Sequence, residues 1–544
     1  MARSLNYSFI LFGLISLSLA CKRSPKPIWD GNGAIAQLQL DSTTLLITEL
    51  AHGLEVPWDL EPGPDHWLYF TEQNGKISRI NSIRGTLEVL GNIEEVFYRK
   101  SSGLFSIVLH PEFEIYPYLY LHYMVAQKDS LHLDQISSKV VRYTLVNGAI
   151  EQPHTLLDGI PGNTFHNGSR MMILQNILWI GTGDAGDTGH AQDPSTLNGK
   201  ILRVNLDGSI PKDNPYPNNP VWSMGHRNIQ GLTEGQGKIY ASEHGPNNDD
   251  EINLIQINHN YGWPEVQGFC DLENEKVYCR DSSITEPLMA WTPTIAPSGL
   301  AYYHSDAIPE WENSLLLTTL KGRSLRVLTL DRDGNSISKE HLFLQKILGR
   351  LRDVAVGNDG AIYLATSNMD WHEGYQPWLY DSLPKSRGDR IIKIQAADEN
   401  TSQQLANMGH SLVLREEEEP IALGTELYPD TTTKEALSSG KQLYVKHCAA
   451  CHAPNGEGNP GQLPPLVHSE WVSGNTARLI DITLAGMSDP IVVDGIEYQG
   501  EMPSYQNLTD VELRDILNYI RTEFGGAKGN IRDEDIVHQR KGLR

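Results

Sequence analysis

Two cysteines and a histidine in the C-terminal part of the chain carry the most specific chemical pattern in this sequence. The run Cys448-Ala449-Ala450-Cys451-His452 is the c-type haem attachment signature. Two thiols at this spacing can add to the two vinyl groups of one porphyrin, and His452 then lies under the iron as its proximal ligand. A structural zinc pair or a redox dithiol are the alternatives. No second cysteine pair follows to complete a zinc site, and no thioredoxin-like pattern surrounds the run. The sequence therefore predicts covalently bound haem c.

The sixth iron ligand is expected from a methionine on the far side of the haem. Met502 lies in the segment 501–505, before the last apolar helical pattern, and this segment resembles the Met-Pro loop of small monohaem cytochromes c. Met487 is the alternative ligand. A Met/His pair raises the reduction potential of the iron, which suits an electron acceptor.

A second group of residues predicts an anion site. The formal net charge is −24, so the few cations near strand starts are informative; they are Arg227, Lys321, Arg350 and Arg352. Such a cluster repels itself unless it holds an anion, and arginine forks suit carboxylates. Each arginine alone could equally form a surface ion pair. The run 245–251 is rich in oxygen ligands that suit Ca²⁺. A carboxylate cofactor bridged by calcium would satisfy both features.

Residues 45–396 contain the cations and oxygen ligands of this expected anion site. The segment consists of six similar strand-rich units. Each unit passes a polar turn and closes on a strand with a polar or basic residue among β-formers. These closing strands are Lys76–Asn81, Lys139–Tyr143, Lys200–Asn205, Glu251–Ile255, Ser324–Leu328 and Arg390–Ile394. The pattern predicts a mainly β protein built on a six-bladed β-propeller, in which loops from all blades meet at one mouth. A pair of β-sandwiches is the alternative.

The pattern changes after residue 396. We assign 397–432 to a linker, 433–526 to a small all-α domain and 527–544 to a polar tail. A helical period places five apolar residues on one face, and Thr509 with Glu512 forms a capping box before them. These five residues are Leu513, Ile516, Leu517, Ile520 and Phe524.

The N-terminal residues 1–21 are typical of a lipoprotein signal peptide, with Cys21 as the lipidated residue and simple secretion as the alternative. Residues 22–44 are assigned to a tether. This predicts a protein of the periplasm or cell surface that contacts the membrane only through its lipid. Outside the cytoplasm, Cys270 and Cys279 are expected to form a disulfide, with two free thiols as the alternative. The acidic charge argues against nucleic-acid binding.

Five propeller segments resemble the PQQ-dependent soluble aldose dehydrogenases, the glucose/sorbosone dehydrogenase family. The resemblance covers about residues 50–395 and is most specific over 225–264. The segments are 166–187, 225–232, 242–264, 294–298 with Lys321, and 350–353. The resemblance implies a six-bladed propeller that holds the tricarboxylate quinone PQQ and Ca²⁺. It also implies oxidation of an aldose at its anomeric carbon to a lactone.

The resemblance also implies roles for individual residues. His166 matches the general base and Asp184 the carboxylate that orients it. The positions that match PQQ contacts are Arg227, Asn228, His244, Thr294, Lys321, Arg350 and Arg352. The carbonyls of Gly245 and Pro246 match ligands of the cofactor-side calcium, and Glu251 with Tyr261 matches a second, structural calcium. The sequence departs from the family at Phe165, at 101–104 and at Thr292, positions that shape substrate binding.

The two parts together predict a PQQ- and Ca²⁺-dependent sugar dehydrogenase. Its electrons would pass to the fused haem c and then to an external respiratory acceptor, such as a soluble or membrane cytochrome. Two alternatives remain open. One is a non-catalytic propeller that binds a glycan or protein and carries an independent cytochrome. The other is oxidation of an alcohol or aldehyde such as sorbosone with the same cofactor.

Overall fold

The computed structural model describes most of the chain. The described residues are 33–128, 134–246, 248–370, 388–397, 412–414, 435–459, 463–467, 469–474, 476–487, 490–493, 496–498, 502–506, 508–524, 531 and 533–542. Residues 31–544 form one compact unit. None of the helices within these ranges is long and apolar enough to cross a membrane. Cys21 lies outside the described residues.

Six antiparallel sheets form the blades of a propeller, which confirms the fold predicted from the sequence. Blade 1 contains β3 (Pro57–Pro62), β4 (Trp67–Glu72), β5 (Lys76–Asn81) and β6 (Leu87–Asn92). Blade 2 contains β7 (Leu104–Leu109), β8 (Tyr118–Lys128), β9 (Asp134–Val146) and β10 (Ala149–Pro161). Blade 3 contains β11 (Gly168–Leu174), β12 (Ile177–Thr182), β13 (Lys200–Asn205) and β14 (Val221–Met224).

The other three blades repeat this order. Blade 4 contains β15 (Ile229–Gly235), β16 (Lys238–Glu243), β17 (Asp250–Ile255) and β18 (Met289–Trp291). Blade 5 contains β19 (Pro297–Tyr303), β20 (Ser314–Thr319), β21 (Leu325–Leu330) and β22 (Ile337–Phe343). Blade 6 contains β23 (Leu351–Val356), β24 (Ile362–Thr366), β25 (Asp389–Ala396), β2 (Thr44–Leu54), β1 (Gly33–Gln39) and β26 (Leu412–Leu414). Short turns of 3-10 helix lie at Pro64–His66 and Pro309–Trp311. Helix α1 spans Gly189–Gln192, and helix α2 spans Glu273–Ser282.

The ring is closed by strands from both ends of the propeller. The first strand of each blade contacts the first strand of the next, and β23 of blade 6 contacts β3 of blade 1. In blade 6 the N-terminal strand β2 pairs with β25, which comes more than 300 residues later. The pairing of β2 with β25 joins the two ends of the propeller segment in one sheet, so the six inner strands surround a common centre.

The strands that we expected to close each unit are the third of four. The second and third strands are almost entirely buried, so they are rich in apolar residues and were visible in the sequence. The outer strands β14 and β18 are only four and three residues long, and β6 is largely exposed. An exposed edge strand carries little apolar periodicity, so the sequence did not reveal it.

Two boundaries also differ from the sequence analysis. The expected tether 22–44 contains β1, which pairs with β2 in blade 6. The expected linker 397–432 contains β26, which pairs in parallel with β1. Both strands are edge additions whose pairing depends on a sheet formed by distant residues.

The helical domain contains the remaining helices. These are α3 (Glu435–His447), α4 (Ala449–His452), α5 (Glu470–Ser473), α6 (Thr476–Ala485), α7 (Asp510–Glu523) and α8 (Asp533–Gly542), with a hairpin of β27 (Ile491–Val493) and β28 (Ile496–Tyr498). Thr509 and Glu512 form the capping box of α7, and the apolar face predicted for this helix is buried. Helices α3 and α7 approach each other closely at Gly440. A larger residue would not fit there, because an added Cβ would lie 2.3 Å from the Asp515 carbonyl oxygen of α7.

The expected polar tail 527–544 was wrong in part, because it contains α8. Ile531 and Ile536 are buried in the core of the helical domain. Arg540 donates to the Asp510 carboxylate at 2.6 Å, at the first turn of α7. Charged residues surround these two isoleucines in the sequence, so the segment shows no apolar pattern that would predict a buried helix.

A buried ion-pair network links the inner strands across the centre of the propeller. Arg170 of β11 pairs with Asp59 of β3 and, at 2.9 Å, with Asp353 of β23, and it donates to the Gln230 carbonyl oxygen of β15 at 2.9 Å. The Arg170 side chain is only 5% exposed. One cation therefore joins blades 1, 3, 4 and 6.

We expect Arg170→Met to destabilise the propeller by about 3–5 kcal/mol, because the variant leaves two buried carboxylates without their cation. Differential scanning calorimetry of the propeller transition measures this change. The matched control is Arg280→Met, whose pair with Asp281 is exposed. That variant should change the stability by less than about 0.5 kcal/mol. Equal effects of the two substitutions would contradict a role for the network.

Candidate active site and haem centre

The mouth of the propeller is a cavity of about 390 Å³ at one end of the inner strands. In an antiparallel hairpin the start of the first strand lies beside the end of the second strand. His166, Arg227 and Arg350 each lie just before a first strand, and Asp184, His244 and Lys321 each follow a second strand. The topology therefore brings residues from blades 3 to 6 to the same rim. Of the predicted PQQ contacts, the cavity is lined by Asn228, His244, Lys321, Arg350 and Arg352, together with His166.

The expected catalytic base lies between a carboxylate and an arginine. His166 Nδ1 donates to Asp184 Oδ1 at 2.9 Å, and the NH2 group of Arg227 donates to His166 Nε2 at 3.1 Å. An arginine has only donors, so Nε2 must be the acceptor and the proton must be on Nδ1. The imidazole is therefore held as the tautomer whose Nε2 lone pair can accept a proton.

The surroundings keep this imidazole neutral. Burial lowers the pKa of His166, the Asp184 hydrogen bond opposes this shift, and the Arg227 charge lowers the pKa further. The backbone of His166 is in the left-handed region, with φ 55°, and the chain after β12 packs tightly against it. A Cβ at Gly183 would lie 2.0 Å from the His166 carbonyl oxygen. This position requires glycine, and a strained backbone at a site residue is typical of functional positions.

The Asp184 carboxylate accepts hydrogen bonds from three donors. Besides His166 it accepts from the Gly186 backbone N–H at 2.8 Å and from Trp263 Nε1 at 2.9 Å. Burial alone would raise the pKa of Asp184, but these hydrogen bonds and the Arg227 charge hold it below its usual value. Trp263 also lies under the Arg227 guanidinium, 5.2 Å from its ring centre. The sequence analysis did not assign Trp263 a role, although it lies in the segment that most resembles the family.

Two of the expected cations share a carboxylate that the sequence analysis missed. Arg350 donates from Nε and NH2 to Asp370 Oδ2 at 2.9 and 2.7 Å, and the Arg352 guanidinium is 3.9 Å from the same oxygen. Burial lowers the pKa of Arg352 to about 10. Lys321 Nζ donates to Thr294 Oγ1 at 2.7 Å. Asp370 follows β24 and belongs to no sequence motif. Only its position at the rim of the folded mouth shows that it pairs with the two arginines.

The mouth fits a polar, anionic cofactor. Three buried nitrogens that the sequence analysis assigned to the cofactor, Arg227 Nε, His244 Nε2 and Arg352 Nε, have no hydrogen-bond partner within the described part of the chain. A buried nitrogen without a partner costs free energy, so a ligand oxygen here would be stabilised. Asn228 orients the rim by accepting from the Gly168 N–H at 3.0 Å. These residues and the cavity volume fit a tricarboxylate quinone.

The loop after His244 is shaped by a buried carboxylate. Asp250 accepts from the backbone N–H groups of Gly245 at 2.8 Å, Ile295 at 2.6 Å and Ala296 at 2.7 Å. Burial raises the pKa of Asp250 to about 6, against these hydrogen bonds. Gly245 uses its N–H within the protein, so its carbonyl and that of Pro246 remain the groups expected to bind calcium.

The residues expected at a second calcium have different partners. Glu251 is buried, lies within hydrogen-bonding distance of Glu243, and accepts from the Gly268 N–H at 2.8 Å. Burial and the Glu243 charge raise the pKa of Glu251. The Tyr261 hydroxyl donates to the Leu254 carbonyl oxygen at 2.6 Å and accepts from the Gln256 N–H at 2.9 Å. The Glu243–Glu251 pair suits a cation, whereas the Tyr261 hydroxyl is already used by backbone groups.

The helical domain contains an apolar cavity at the haem signature. Cys448 and Cys451 line it as thiols that form no disulfide. His452 Nδ1 is hydrogen-bonded to the Pro464 carbonyl oxygen at 2.8 Å, which leaves Nε2 as the ligand atom. These residues and the apolar walls fit a covalently bound haem.

Both methionines considered as the sixth ligand line this cavity. Met487 and Met502 exchange backbone hydrogen bonds at 2.9 and 2.8 Å, so they lie side by side on two paired loops. The structure thus brings together two residues that were alternatives in the sequence analysis, and Met502 stays the expected ligand.

The other site expectations concern departures from the family and the disulfide. Phe165 is 39% exposed at the rim, with its ring edge-on to His166 at 5.0 Å. Ser101 also lines the mouth, whereas Thr292 Oγ1 donates to Asp249 Oδ1 at 2.9 Å. Cys270 and Cys279 form a disulfide.

Comparisons with known proteins match both parts of the chain. The model of the glucose / sorbosone dehydrogenase family matches residues 54–372, and the cytochrome c model matches residues 437–523. An aldose sugar dehydrogenase of Escherichia coli is 28% identical over 377 residues, covering 66% of this chain and 95% of the relative. Cytochrome c-552 of Thermus thermophilus is 39% identical over 97 residues, covering 17% of this chain and 65% of that protein.

A solved structure has the same propeller. The PQQ-bound form of an aldose sugar dehydrogenase from Streptomyces coelicolor is 30% identical, with a TM-score of 0.55, and the match covers 65% of this chain and 98% of that one. The remaining C-terminal part matches the cytochrome c model, which implies haem. This chain therefore belongs to the glucose/sorbosone dehydrogenase family and carries a cytochrome c domain after its propeller.

Proposed function

We propose that this protein oxidises an aldose at C1 to the lactone, using PQQ and Ca²⁺, and passes the electrons through its own haem c to an external acceptor. The observation that carries the proposal is the hydrogen-bonded series Asp184, His166 and Arg227 at the mouth. It presents a neutral imidazole with a defined tautomer beside a cavity rich in cations.

The chain's own residues would act as follows. His166 Nε2 takes the proton of the anomeric hydroxyl, and Asp184 stabilises the imidazolium that forms. Arg227 donates to Nε2, so it must turn to another acceptor before a sugar hydroxyl can reach the base. The carboxylates of the cofactor would provide that acceptor.

The cofactors would supply the remaining chemistry. Arg227, Lys321, Arg352 and His244 would hold the polar groups of PQQ, which would supply an acceptor for the C1 hydride. The carbonyls of Gly245 and Pro246 would bind Ca²⁺, which would polarise the quinone. Cys448, Cys451 and His452 would hold haem, which would supply an acceptor for single electrons.

The substrate and the location are part of the same proposal. The mouth holds polar groups suited to sugar hydroxyls, and Phe165 offers an apolar edge beside the base. Haem attachment and the Cys270–Cys279 disulfide both agree with export from the cytoplasm. We therefore infer a periplasmic or surface protein, anchored by a lipid on Cys21, whose electrons go to a soluble or membrane cytochrome.

A sugar panel tests the proposal. We expect an aldose to reduce the haem only when both PQQ and Ca²⁺ are present, measured by the ferrous absorption bands. Chelation of Ca²⁺ should abolish the reduction, and Ca²⁺ should restore it. Sugar binding without haem or dye reduction would instead favour a binding propeller, and reduction by alcohols or aldehydes alone would favour the other alternative.

Replacing the base tests the mechanism. His166→Ala should lower kcat/KM with a soluble dye by about 10²–10⁴-fold, because proton removal loses its acceptor. Dithionite should still reduce the haem of this variant normally. The matched control is His304→Ala, since His304 is 73% exposed. Equal activity in the two variants would sink the assignment of His166.

The pH profile tests the charges around His166. Because burial and Arg227 lower the pKa of His166, the neutral base persists below pH 6.5, and activity should be lost only as the pH falls through that lowered pKa. Asp184→Asn removes the anion that raises this pKa, so the acid limb of log kcat/KM should move to lower pH while kcat falls. A shift of the limb to higher pH would contradict this arrangement.

A further inference from the structure

An insertion of blade 4 reaches the cytochrome c domain. Between β17 and β18 the chain forms helix α2 (Glu273–Ser282), and the Cys270–Cys279 disulfide ties the start of this helix to its last turn. The buried carboxylate of Glu275 accepts from the backbone N–H groups of Gln267 at 3.2 Å and Leu272 at 3.1 Å. We call residues 267–282 the docking insertion. It is held rigid by one covalent and two hydrogen-bonded links.

Leu272 is the apolar contact of the docking insertion. Its side chain is only 7% exposed and belongs to the core cluster of the cytochrome c domain, with Tyr444, Cys448 and residues of α7. A propeller residue thus completes the core around the haem-bearing segment. Burial of this leucine side chain away from water favours the contact.

Lys446 is the charged contact. It lies in the last turn of α3, two residues before Cys448, and is only 12% exposed. Its Nζ is 2.5 Å from Asp271 Oδ1 in the docking insertion and 3.7 Å from Asp249 Oδ2 in the propeller. Burial lowers the pKa of Lys446, but the charges of Asp249, Asp271 and Glu275 outweigh it, so the ammonium stays charged.

The same contact leads to the mouth. Asp249 exchanges hydrogen bonds with Thr292 and is followed directly by Asp250, which holds Gly245, Ile295 and Ala296 in place. On the haem side, Lys446 lies two residues before Cys448 and contacts the Asp249 carboxylate. The haem-bearing segment is therefore docked beside the loop that shapes the cofactor-binding rim.

We propose that Lys446 is a positioning residue: its ion pairs with Asp249 and Asp271, together with Leu272, dock the cytochrome c domain on the propeller mouth so that electrons from the sugar site reach the haem within one molecule. This inference rests on the proposed function. Electron transfer slows exponentially with the distance between two redox centres. A domain that was only tethered would meet the mouth by diffusion, at an effective concentration of the order of mM.

The electron balance of the reaction requires two successive electron transfers to the haem for each sugar oxidised. Oxidation of one hemiacetal to a lactone breaks the C1–H and O–H bonds, forms the C=O bond and releases two electrons and two protons. A ferric haem takes one electron at a time, so an external one-electron acceptor must reoxidise it before the second arrives. The protons leave to water, one of them by way of His166. A docked haem can take both electrons without releasing the propeller.

The test compares Lys446→Glu with Lys441→Glu, which introduces the same charge at an exposed position of the same helix. In the PQQ-free, haem-loaded protein, hydrogen exchange of the docking insertion should rise in Lys446→Glu only. With PQQ and Ca²⁺ added, stopped-flow reduction of the haem by an aldose should slow at least tenfold in that variant, whereas aldose oxidation with a soluble dye stays within twofold of wild type. Lys446→Arg should behave as wild type.

Each outcome has a distinct meaning. Wild-type haem reduction and unchanged exchange in Lys446→Glu would overturn the docking role, even with an active propeller. Loss of dye-linked activity in the wild-type protein would refute the proposed function instead. Asp271→Ala provides a second variant, because Asp271 is 56% exposed and its loss leaves the core intact. It should slow haem reduction in the same direction, and an unaffected rate in both variants would overturn the proposal.

Discussion

The closure of the propeller ring is the constraint on which the site depends. Strand β2 pairs with β25 in blade 6, and β23 contacts β3 of blade 1, so six inner strands must end around one axis. Antiparallel pairing then places the start of each first strand beside the end of each second strand. His166, Arg227 and Arg350 come from three blades and lie up to 184 positions apart in the sequence. They reach one rim because the ring closes.

Charge balance at the rim is the second organising feature. Three buried arginines pair with carboxylates: Arg350 and Arg352 share Asp370, and Arg170 lies between Asp59 and Asp353. Arg227 differs, because its terminal nitrogens contact the imidazole of His166 and a carbonyl oxygen. A cation placed against a neutral histidine lowers the pKa of that histidine, because it opposes a second positive charge on the imidazole. The same arginine thus keeps the imidazole neutral.

The cytochrome c domain is joined to the propeller by more than the chain. Leu272 completes its apolar core and Lys446 reaches two propeller carboxylates, so the contact combines one buried leucine with one buried ion pair. Asp249 of this contact packs against Gly245 in the loop that shapes the mouth. The haem-bearing helix is therefore held beside that loop.

The sequence by itself determined the features that depend on local spacing. The haem signature, the capping box and apolar face of α7, and the third strands of the blades are readable because their residues lie within a few positions of each other. The expected base, its carboxylate and the expected cofactor-site residues were predicted through resemblance, and the propeller brings most of these residues to one mouth.

Tertiary structure alone decided the partners that have no local pattern. Asp370 and Trp263 act through contacts with residues 20 and 79 positions away. Strands β1 and β26 exist because a distant sheet offers an edge, α8 because Ile531 and Ile536 find a core, and the Lys446 contact because the docking insertion reaches the helical domain. Local sequence cannot specify such contacts, since their free energy depends on groups that only the folded chain brings together.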